Sequence, residues 1–345
     1  MRASVVNLRR GCSFSIQGKH KNLPKHKNPL DRYFYFEYNE TIIRERENTE
    51  AMPNKMKNLG YYDGQIDLIE NVKIPMTDRV CWFGDGVYDA TCARNGVIYC
   101  LDDHVDRFFR SALLSSIDLP FSKEELKVLL CDLVSRVDTS GTNGEASVYW
   151  QITRGAGMLR NHAFPKNAVP KLWVTVTPKA LADPFREVAL VSAEDVRHHI
   201  CNIKTVCLLP NVLAAEKAER FGAEECVQYR VTADGKTRVT EGSHSNVHCL
   251  KDGVLYTAPL DELILPGIAR KNILTACKAL GITVKEEPFT LDFLTEADEV
   301  FISASSNFCI RARSLDGKPI GGKDTARITA LREALVRDYL DVTAR

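Results

Sequence analysis

A stretch rich in proline and charge, PKALADPFRE at residues 178–187, separates two differently patterned parts of the chain. It has neither the period of two that marks a strand nor the period of 3.6 that marks a helix, so it predicts a linker. A chain of 345 residues also has the length of about two domains. We therefore expect the following parts: a basic, poorly ordered extension over 1–57, a small domain over 58–178, a linker over 179–187 and a larger domain over 188–345.

Two-residue turn signals interrupt alternating apolar segments in the first part. The pairs Asp63-Gly64 and Asn95-Gly96 are the sequences that tight hairpins prefer, because both positions need a positive φ. Helical apolar spacing follows at 102–117, where the predicted apolar face extends as far as Leu113, and again at 122–137, where Ser122 is the expected N-cap. The sequence predicts a mostly antiparallel α+β domain, completed by strands at 147–155 and 171–179.

Strand-like and helix-like segments alternate beyond the linker. Gly222 and Gly281 follow two of the helical segments, as C-terminal glycines do. The expected strands cover 187–193, 225–231, 246–256 and 299–305, and the expected helices cover 209–222, 268–281 and 325–340. This alternation predicts an α/β class for the larger domain.

The distribution of charge and cysteine excludes several classes of protein. Residues 1–57 carry twelve Lys/Arg and six Asp/Glu, so the formal charge of +1 leaves 1 − 6 = −5 for the rest of the chain. A nucleic-acid surface is therefore not expected, and no apolar run approaches the roughly 18 residues of a membrane span. The eleven cysteines are scattered and never spaced C-x-x-C. They predict reduced thiols in the cytoplasm and no metal site.

The basic N-terminus leaves two interpretations open. Residues 1–32 contain eight Lys/Arg and no acidic residue before Asp31, a composition typical of an organellar transit peptide. Strand-like patterning begins only after Met56, so a start at that methionine is an equal alternative.

Lys204 and Glu241 are the first chemical signal. Lys204 lies at an element junction, after a strand-like segment at 194–203 and before an apolar helix, and Glu241 follows 37 residues later. A Pro-Gly turn then precedes a helix whose first amides, at Ile268 and Ala269, are free to bind an anion. An amine that forms a Schiff base, a carboxylate that pairs with a protonated ring nitrogen and an anion-binding helix end are what pyridoxal phosphate requires.

Each of these signals also has a simpler explanation. A lysine before an apolar run is usually solvated, and turn chemistry alone accounts for residues 241–246. Arg107 beside acidic neighbours is usually a surface ion pair, and Ser305-Ser306 after a strand is usually a turn. A two-domain binder of small molecules, without the cofactor, is consistent with the same residues.

In their order along the chain, however, residues 58–340 resemble the class IV aminotransferases, which are fold-type IV pyridoxal-phosphate enzymes. The family signature is met by Glu241, Asn246, Val247, Leu255, Thr257, Leu265, Gly267, Ile268 and Arg270. One position departs from it, because His248 stands where Phe or Tyr is usual. Within the family the D-amino-acid aminotransferases are most similar, through the motifs FGDGVYDA, HVDRFFRSA, QITRG, RNHAFP, IKTVCLLPNVLA and VTEGSHSNVH. Pro210 and His244 are local departures from those motifs.

The resemblance implies a role for each site residue. Lys204 would form the Schiff base and carry the proton between the substrate Cα and the cofactor. Glu241 would keep the ring nitrogen protonated. The phosphate would be held by Arg107, the Ile268 and Ala269 amides, Ser305 and Ser306.

The resemblance also implies a trap for the substrate α-carboxylate. Tyr88, Arg160 and His162 would form it, with the last two on a loop that reaches the active site of a neighbouring subunit in a homodimer. The expected reaction converts D-alanine and 2-oxoglutarate to pyruvate and D-glutamate. A branched-chain aminotransferase and aminodeoxychorismate lyase, both of the same fold, are the alternatives.

Overall fold

The computed structural model describes residues 55–156 and 160–344. Nearly all of the predicted N-terminal extension, with its transit-peptide interpretation, lies outside these residues. None of the helices in the described ranges has the length and apolarity that a membrane crossing requires.

The first sheet is antiparallel throughout. Its strands are β1 (Leu59–Tyr62), β2 (Gln65–Asp67), β3 (Gly86–Arg94), β4 (Val97–Ile98), β5 (Glu145–Thr153) and β6 (Lys171–Pro178), in the order β2-β1-β6-β5-β3-β4. Asp63 and Gly64 have φ values of 47° and 94°, and Asn95 and Gly96 have 51° and 76°. Both predicted hairpins are therefore confirmed, with the positive φ angles that select these residues.

Helices cover this sheet. They are α1 (Arg79–Phe83), α2 (Leu101–Leu114) and α3 (Lys123–Ser135). The predicted capping box at the start of α3 is present, because Ser122 and Glu125 each bond the other's backbone amide. The face of α2 that packs inward carries Phe108, whose ring centroid lies 6.2 Å from that of Trp150 on β5. The predicted apolar face of α2 was one residue too wide, because Leu113 is 76% exposed.

The second sheet is mixed. Its strands are β7 (Glu187–Glu194), β8 (Glu225–Val231), β9 (Thr237–Gly242), β10 (Asn246–Lys251), β11 (Val254–Thr257), β12 (Thr283–Glu286), β13 (Glu299–Ser303), β14 (Ile310–Leu315) and β15 (Lys318–Pro319). They follow the order β12-β11-β10-β13-β14-β7-β8-β9, with β15 beside β14. The pairs β11–β12, β7–β14 and β7–β8 are parallel.

The second sheet carries helices α4 (Leu209–Arg220), α5 (Ile268–Ala279), α6 (Leu291–Glu296) and α7 (Thr325–Val342). Gly222 and Gly281 take positive φ angles of 65° and 69° just beyond α4 and α5, as predicted. Side chains such as Ile273 of α5 and Leu331 of α7 are fully buried in one core, and each contributes about 1.5–3 kcal/mol of burial. The fold class is thus the predicted mixed α/β arrangement, with an antiparallel first sheet.

Two local expectations near the site were wrong. Residues 194–203 look strand-like, but β7 ends at Glu194. The chain leaves the strand because Asp195 Oδ1 accepts a hydrogen bond from the backbone N–H of Arg197 at 3.0 Å, a turn made by the side chain. Glu241, for which a turn position was the simpler explanation, lies within β9, an edge strand that pairs with β8.

Candidate active site

A cleft of about 770 Å³ is lined by residues from both sheets. Eight of the ten predicted site residues line it: Tyr88, Arg107, Lys204, Glu241, Ile268, Ala269, Ser305 and Ser306. In the described part of the chain, Arg160 and His162 are not among the lining residues. The structure therefore brings together the residues predicted for the cofactor, and separates two of those predicted for the substrate.

The backbone of Lys204 is fixed to the first sheet. Its carbonyl accepts a hydrogen bond from the Tyr88 N–H at 2.9 Å, and its own N–H donates to Ser111 Oγ of α2 at 3.2 Å. Two residues on, the Val206 N–H donates to the Gly86 carbonyl at 3.1 Å. The Lys204 Nζ lies 4.2 Å from the centroid of the Tyr88 ring. The amine therefore projects into the cleft from a segment that is fastened on both sides.

Glu241 forms one end of the cleft, and three donors hold its carboxylate. The Asn246 side-chain amide donates to Glu241 Oε2 at 2.9 Å, and the Leu265 N–H donates to the same oxygen at 3.0 Å. Arg197 donates to Oε1. Burial raises the pKa of Glu241 and the Arg197 guanidinium opposes that rise. Because all three groups donate, they favour the ionised carboxylate, which can accept a further hydrogen bond from within the cleft.

Arg197 is held in turn by Asp195. Its Nε and Nη2 donate to the two oxygens of that carboxylate at 2.9 and 2.8 Å, and Nη2 also donates to the Leu263 carbonyl at 3.1 Å. Burial alone would raise the pKa of Asp195, but the hydrogen bonds from Arg197 lower it to about 2. The guanidinium is thus a charged, fully bonded support for Glu241.

Arg107 forms the opposite end of the cleft. Its Nε and Nη2 donate to both oxygens of Asp89 at 2.9 and 2.7 Å, and its Nη1 donates to the Pro266 carbonyl at 3.3 Å. The side chain is 7% exposed. The interpretation of Arg107 as a surface ion pair is therefore wrong, because its partner Asp89 is completely buried.

The N-terminus of α5 lies beside Arg107. Its N-cap is Gly267, which has no side chain to bond the first amides, so the N–H groups of Ile268 and Ala269 are available to an anion. A Cβ at residue 267 would overlap the Asn246 side-chain oxygen. Only glycine fits this position without moving Asn246.

Ser305 and Ser306 follow β13 in a turn and line the same cleft. The hydroxyl of Ser305 lies 3.3 Å from Nε2 of His104, which is completely buried on α2. Two hydroxyls, a helix N-terminus and a guanidinium thus face one region, a combination suited to a phosphate.

Tyr88, Arg160 and His162 differ in their placement. The Tyr88 ring is stacked on Tyr149, with centroids 5.3 Å apart, and faces the Lys204 amine. Arg160 and His162 are exposed, and both contact the ring of Phe83, at 5.0 Å from its centroid. Arg79 fastens this segment, because its Nη2 donates to the His162 carbonyl at 3.2 Å.

Sequence reasoning missed three supporting side chains. Arg197 lies in the strand-like segment 194–203, although a charged run in an apolar context is a signal for a buried pair. Asn246 belongs to the family signature, which alone does not indicate that its amide supports Glu241. His104, three residues before Arg107, shares its helical face, a spacing that could have indicated it.

These residues fit pyridoxal phosphate. The cleft has a lysine amine on a fixed backbone, a buried carboxylate with acceptor capacity at one end, and an uncapped helix N-terminus with Arg107 at the other. Such a set can hold the aldehyde carbon, the ring nitrogen and the phosphate of one molecule.

Comparison with known proteins leads to the same cofactor chemistry. The profile of the family described as amino-transferase class IV matches residues 86–315. The D-alanine aminotransferase of Staphylococcus aureus (strain N315) is 37% identical over 287 residues, covering 81% of this chain and 97% of the relative. That of Listeria monocytogenes serotype 4b (strain F2365) is 38% identical over 265 residues, covering 76% and 89%.

Solved structures share the fold. The branched-chain aminotransferase of Thermoproteus uzoniensis superposes with a TM-score of 0.72 at 22% identity, covering 83% of this chain and 96% of the other. The branched-chain amino acid aminotransferase of Escherichia coli gives a TM-score of 0.70 at 22% identity, covering 81% and 94%.

The fold and the cleft together define a pyridoxal-phosphate-dependent enzyme. More specifically, the chain belongs to the class IV aminotransferase family, and its reaction is an amino-group transfer.

Proposed function

We propose that this enzyme exchanges D-alanine and 2-oxoglutarate for pyruvate and D-glutamate. The observation that carries the proposal is the similarity to D-alanine aminotransferases at 37% identity across 97% of their length. Tyr88, one of the three residues expected to bind the substrate carboxylate, also lies against the Lys204 amine in the cleft.

The residues of the cleft have distinct tasks in this proposal. The cofactor, when bound, supplies a ring that can accept the electron pair of the substrate Cα–H bond. Lys204 anchors it through Nζ and afterwards moves the proton at Cα. Glu241 holds the ring nitrogen in its protonated form, supported by Arg197 and Asn246. This task requires an ionised carboxylate, and the three donors around Glu241 favour that form.

The phosphate would be held at the other end. Arg107, whose charge is fixed by Asp89, and the Ile268 and Ala269 amides supply positive potential there, with Ser305 and Ser306 as further hydroxyl partners. Because Arg107 also donates to the Pro266 carbonyl, the guanidinium is positioned against the same segment that begins α5.

We further propose a homodimer, in which the loop carrying Arg160 and His162 enters the cleft of the partner subunit. Two features support it. Both side chains are exposed in this chain and rest on Phe83, and helix α4, beside the cleft, exposes Leu209 by 69% and Val212 by 58%. Apolar surface of this kind on a helix is typical of a subunit interface.

We also propose that the enzyme works in the cytoplasm. Every cysteine within the described ranges is a free thiol, as expected for proteins of a reducing compartment.

A half-reaction tests the substrate. Purified enzyme loaded with pyridoxal phosphate is mixed with D-alanine or L-alanine, and the loss of the yellow absorbance is followed as the cofactor gains the amino group. We expect a rapid change with D-alanine alone. A faster change with L-leucine than with D-alanine would instead favour a branched-chain aminotransferase, the second candidate, which the shared fold supports.

Subunit complementation tests the dimer. Lys204→Ala and Arg160→Ala proteins, each nearly inactive alone, are mixed under conditions that exchange subunits. If the loop acts on the partner's cleft, a mixed dimer contains one cleft with both residues intact, and activity should return to roughly a quarter of the wild-type value on statistical mixing. If Arg160 acts within its own subunit, every mixed dimer lacks an intact cleft and no activity returns.

A further inference from the structure

A buried chain of three side chains lies behind the phosphate end of the cleft. Nδ1 of His104 lies 2.7 Å from Oδ1 of Asp89, and Nε2 of the same ring lies 3.3 Å from Oγ of Ser305. Asp89 and His104 are both 0% exposed. Ser305 lines the cleft, so it connects a buried carboxylate and imidazole to whatever occupies that end.

The hydrogen positions in this chain follow from Asp89. Burial alone would raise the pKa of Asp89, but Arg107 and His104 together lower it below its usual range, so the carboxylate is ionised. An ionised carboxylate only accepts hydrogen bonds, and Nδ1 of His104 must therefore carry a hydrogen. In the neutral ring Nε2 is then an acceptor only, and Ser305 has to donate its hydroxyl hydrogen to it.

This arrangement conflicts with binding a phosphate. With its hydrogen directed at His104, Ser305 presents only lone pairs to the cleft, where Arg107 and the α5 amides attract an anion. If the hydroxyl turned toward the anion, Nε2 of the buried ring would lose its partner. If Nε2 instead gained a proton, His104 would donate to Ser305 and Ser305 would donate to the anion. Only the second arrangement leaves every polar group paired.

The charges that face His104 explain why the ring is neutral without an anion. Asp89 on β3 favours the charged ring. Arg107, whose Nη2 is 3.3 Å from Nδ1, and Lys204 across the cleft oppose it, and burial is the largest effect that lowers the pKa of His104. A phosphate dianion beside Ser305 would add a second negative partner and reverse this balance.

We propose that His104 takes up a proton from solvent when the phosphate of the cofactor binds, so that Asp89, His104 and Ser305 form a relay that makes Ser305 a donor to that phosphate. His104 is a positioning residue in this proposal, because it acts through Ser305. The inference rests on the proposed phosphate-holding role of Ser305.

Proton uptake on binding is the direct test. Pyridoxamine 5′-phosphate is titrated into the cofactor-free protein by calorimetry at pH 8, in buffers of different ionisation enthalpy. The phosphate is then already a dianion, since its second pKa is about 6, and the amine avoids any reaction with Lys204. His104→Asn keeps a donor for Asp89 but cannot titrate. Ser305→Ala keeps the Asp89–His104 pair but removes the link.

We expect the wild-type protein to take up on the order of one proton more than either variant. Ser306→Ala, a matched loss of the neighbouring hydroxyl, should take up as many protons as the wild type. Because the pKa of His104 is higher in the bound state, the affinity ratio of wild type to His104→Asn should also fall as the pH rises from 7 to 9. A proton taken up by the ring nitrogen of the bound ligand is taken up in all four proteins, so it cancels when their proton uptakes are compared.

Equal uptake by wild type and both variants, with the ligand bound in each, would overturn the relay while leaving the proposed function intact. If wild-type protein bound neither pyridoxamine phosphate nor pyridoxal phosphate, the proposed function itself would fail. Should His104→Asn not fold, as judged by its thermal unfolding, the proton uptake of Ser305→Ala compared with Ser306→Ala tests the relay in its place.

Discussion

Replacing Gly267 with alanine should show how tightly the two ends of the cleft are joined. The φ of Gly267 is −67°, so alanine meets no backbone strain and the effect is purely steric. The new Cβ would overlap Asn246 Oδ1 and displace an amide that donates to Glu241 and to the Leu265 carbonyl. One bond to a charged acceptor and one to a neutral acceptor contribute about 2–4 kcal/mol together. At roughly 2–4 °C per kcal/mol, the melting temperature should fall by about 10 °C.

Thermal unfolding measures this loss, and Gly141→Ala is the matched control. Gly141 lies in a short 3-10 turn, and its added Cβ would have no described atom within 4 Å, so its cost should stay within about 0.5 kcal/mol. Titration with pyridoxal phosphate should show weaker binding by Gly267→Ala alone. Identical melting of the two variants would refute the reasoning. So would an undiminished cost of Gly267→Ala in an Asn246→Ala background, because coupled residues should not be additive.

Three further substitutions test the site and the core. Lys204→Ala should lower D-alanine-dependent pyruvate formation by on the order of three decades or more, and near-normal turnover would remove Lys204 from the mechanism. Arg160→Ala should lower kcat/KM for D-alanine by roughly 2–4 kcal/mol while leaving cofactor absorbance unchanged; unchanged kinetics would contradict the carboxylate trap. Burial lowers the pKa of His248 to about 3, against about 6.5 in the unfolded chain. Between these two pH values the unfolded chain binds a proton that the folded chain does not, so the free energy of unfolding falls as the pH falls from about 6.5 toward 3. Urea unfolding of the wild type should show a loss of at most roughly 3 kcal/mol between pH 7 and 4.5. His248→Phe should abolish that loss, and an equal pH slope in both proteins would show that His248 is not its source.

Local features of the sequence were sufficient for most of the fold. The turn pairs and the Ser122 cap act within a few residues, and their physics does not depend on the rest of the chain. Glu241 was harder, because a Glu-Gly-Ser segment has the same composition in a turn and in a strand edge. Its strand is decided by antiparallel pairing with β8, the preceding strand, and the composition of the segment does not reveal how far that hairpin extends.

Supporting side chains of the site depend on contacts between residues that are distant in sequence. Arg197 pairs with Glu241 across 44 residues, and Ser305 meets His104 across 201. Spacing along the chain has no information about such pairs. Arg160 and His162 show a different limit, because no pattern within one chain can indicate whether a loop acts on its own cleft or on another.

The four residues Leu265–Ile268 connect the opposite ends of the cleft. Leu265 donates to Glu241, Pro266 accepts from Arg107, and Ile268 begins α5. The separation between the carboxylate and the helix N-terminus is therefore set by one short, covalently continuous segment, and not by the angle between the sheets. Lys204 and Tyr88, by contrast, are fastened to the first sheet. Arg107 belongs to the same side, because it lies on α2. A cofactor held by Lys204, Arg107 and the α5 amides would therefore join the two sheets to each other, so its binding should also raise the free energy of unfolding.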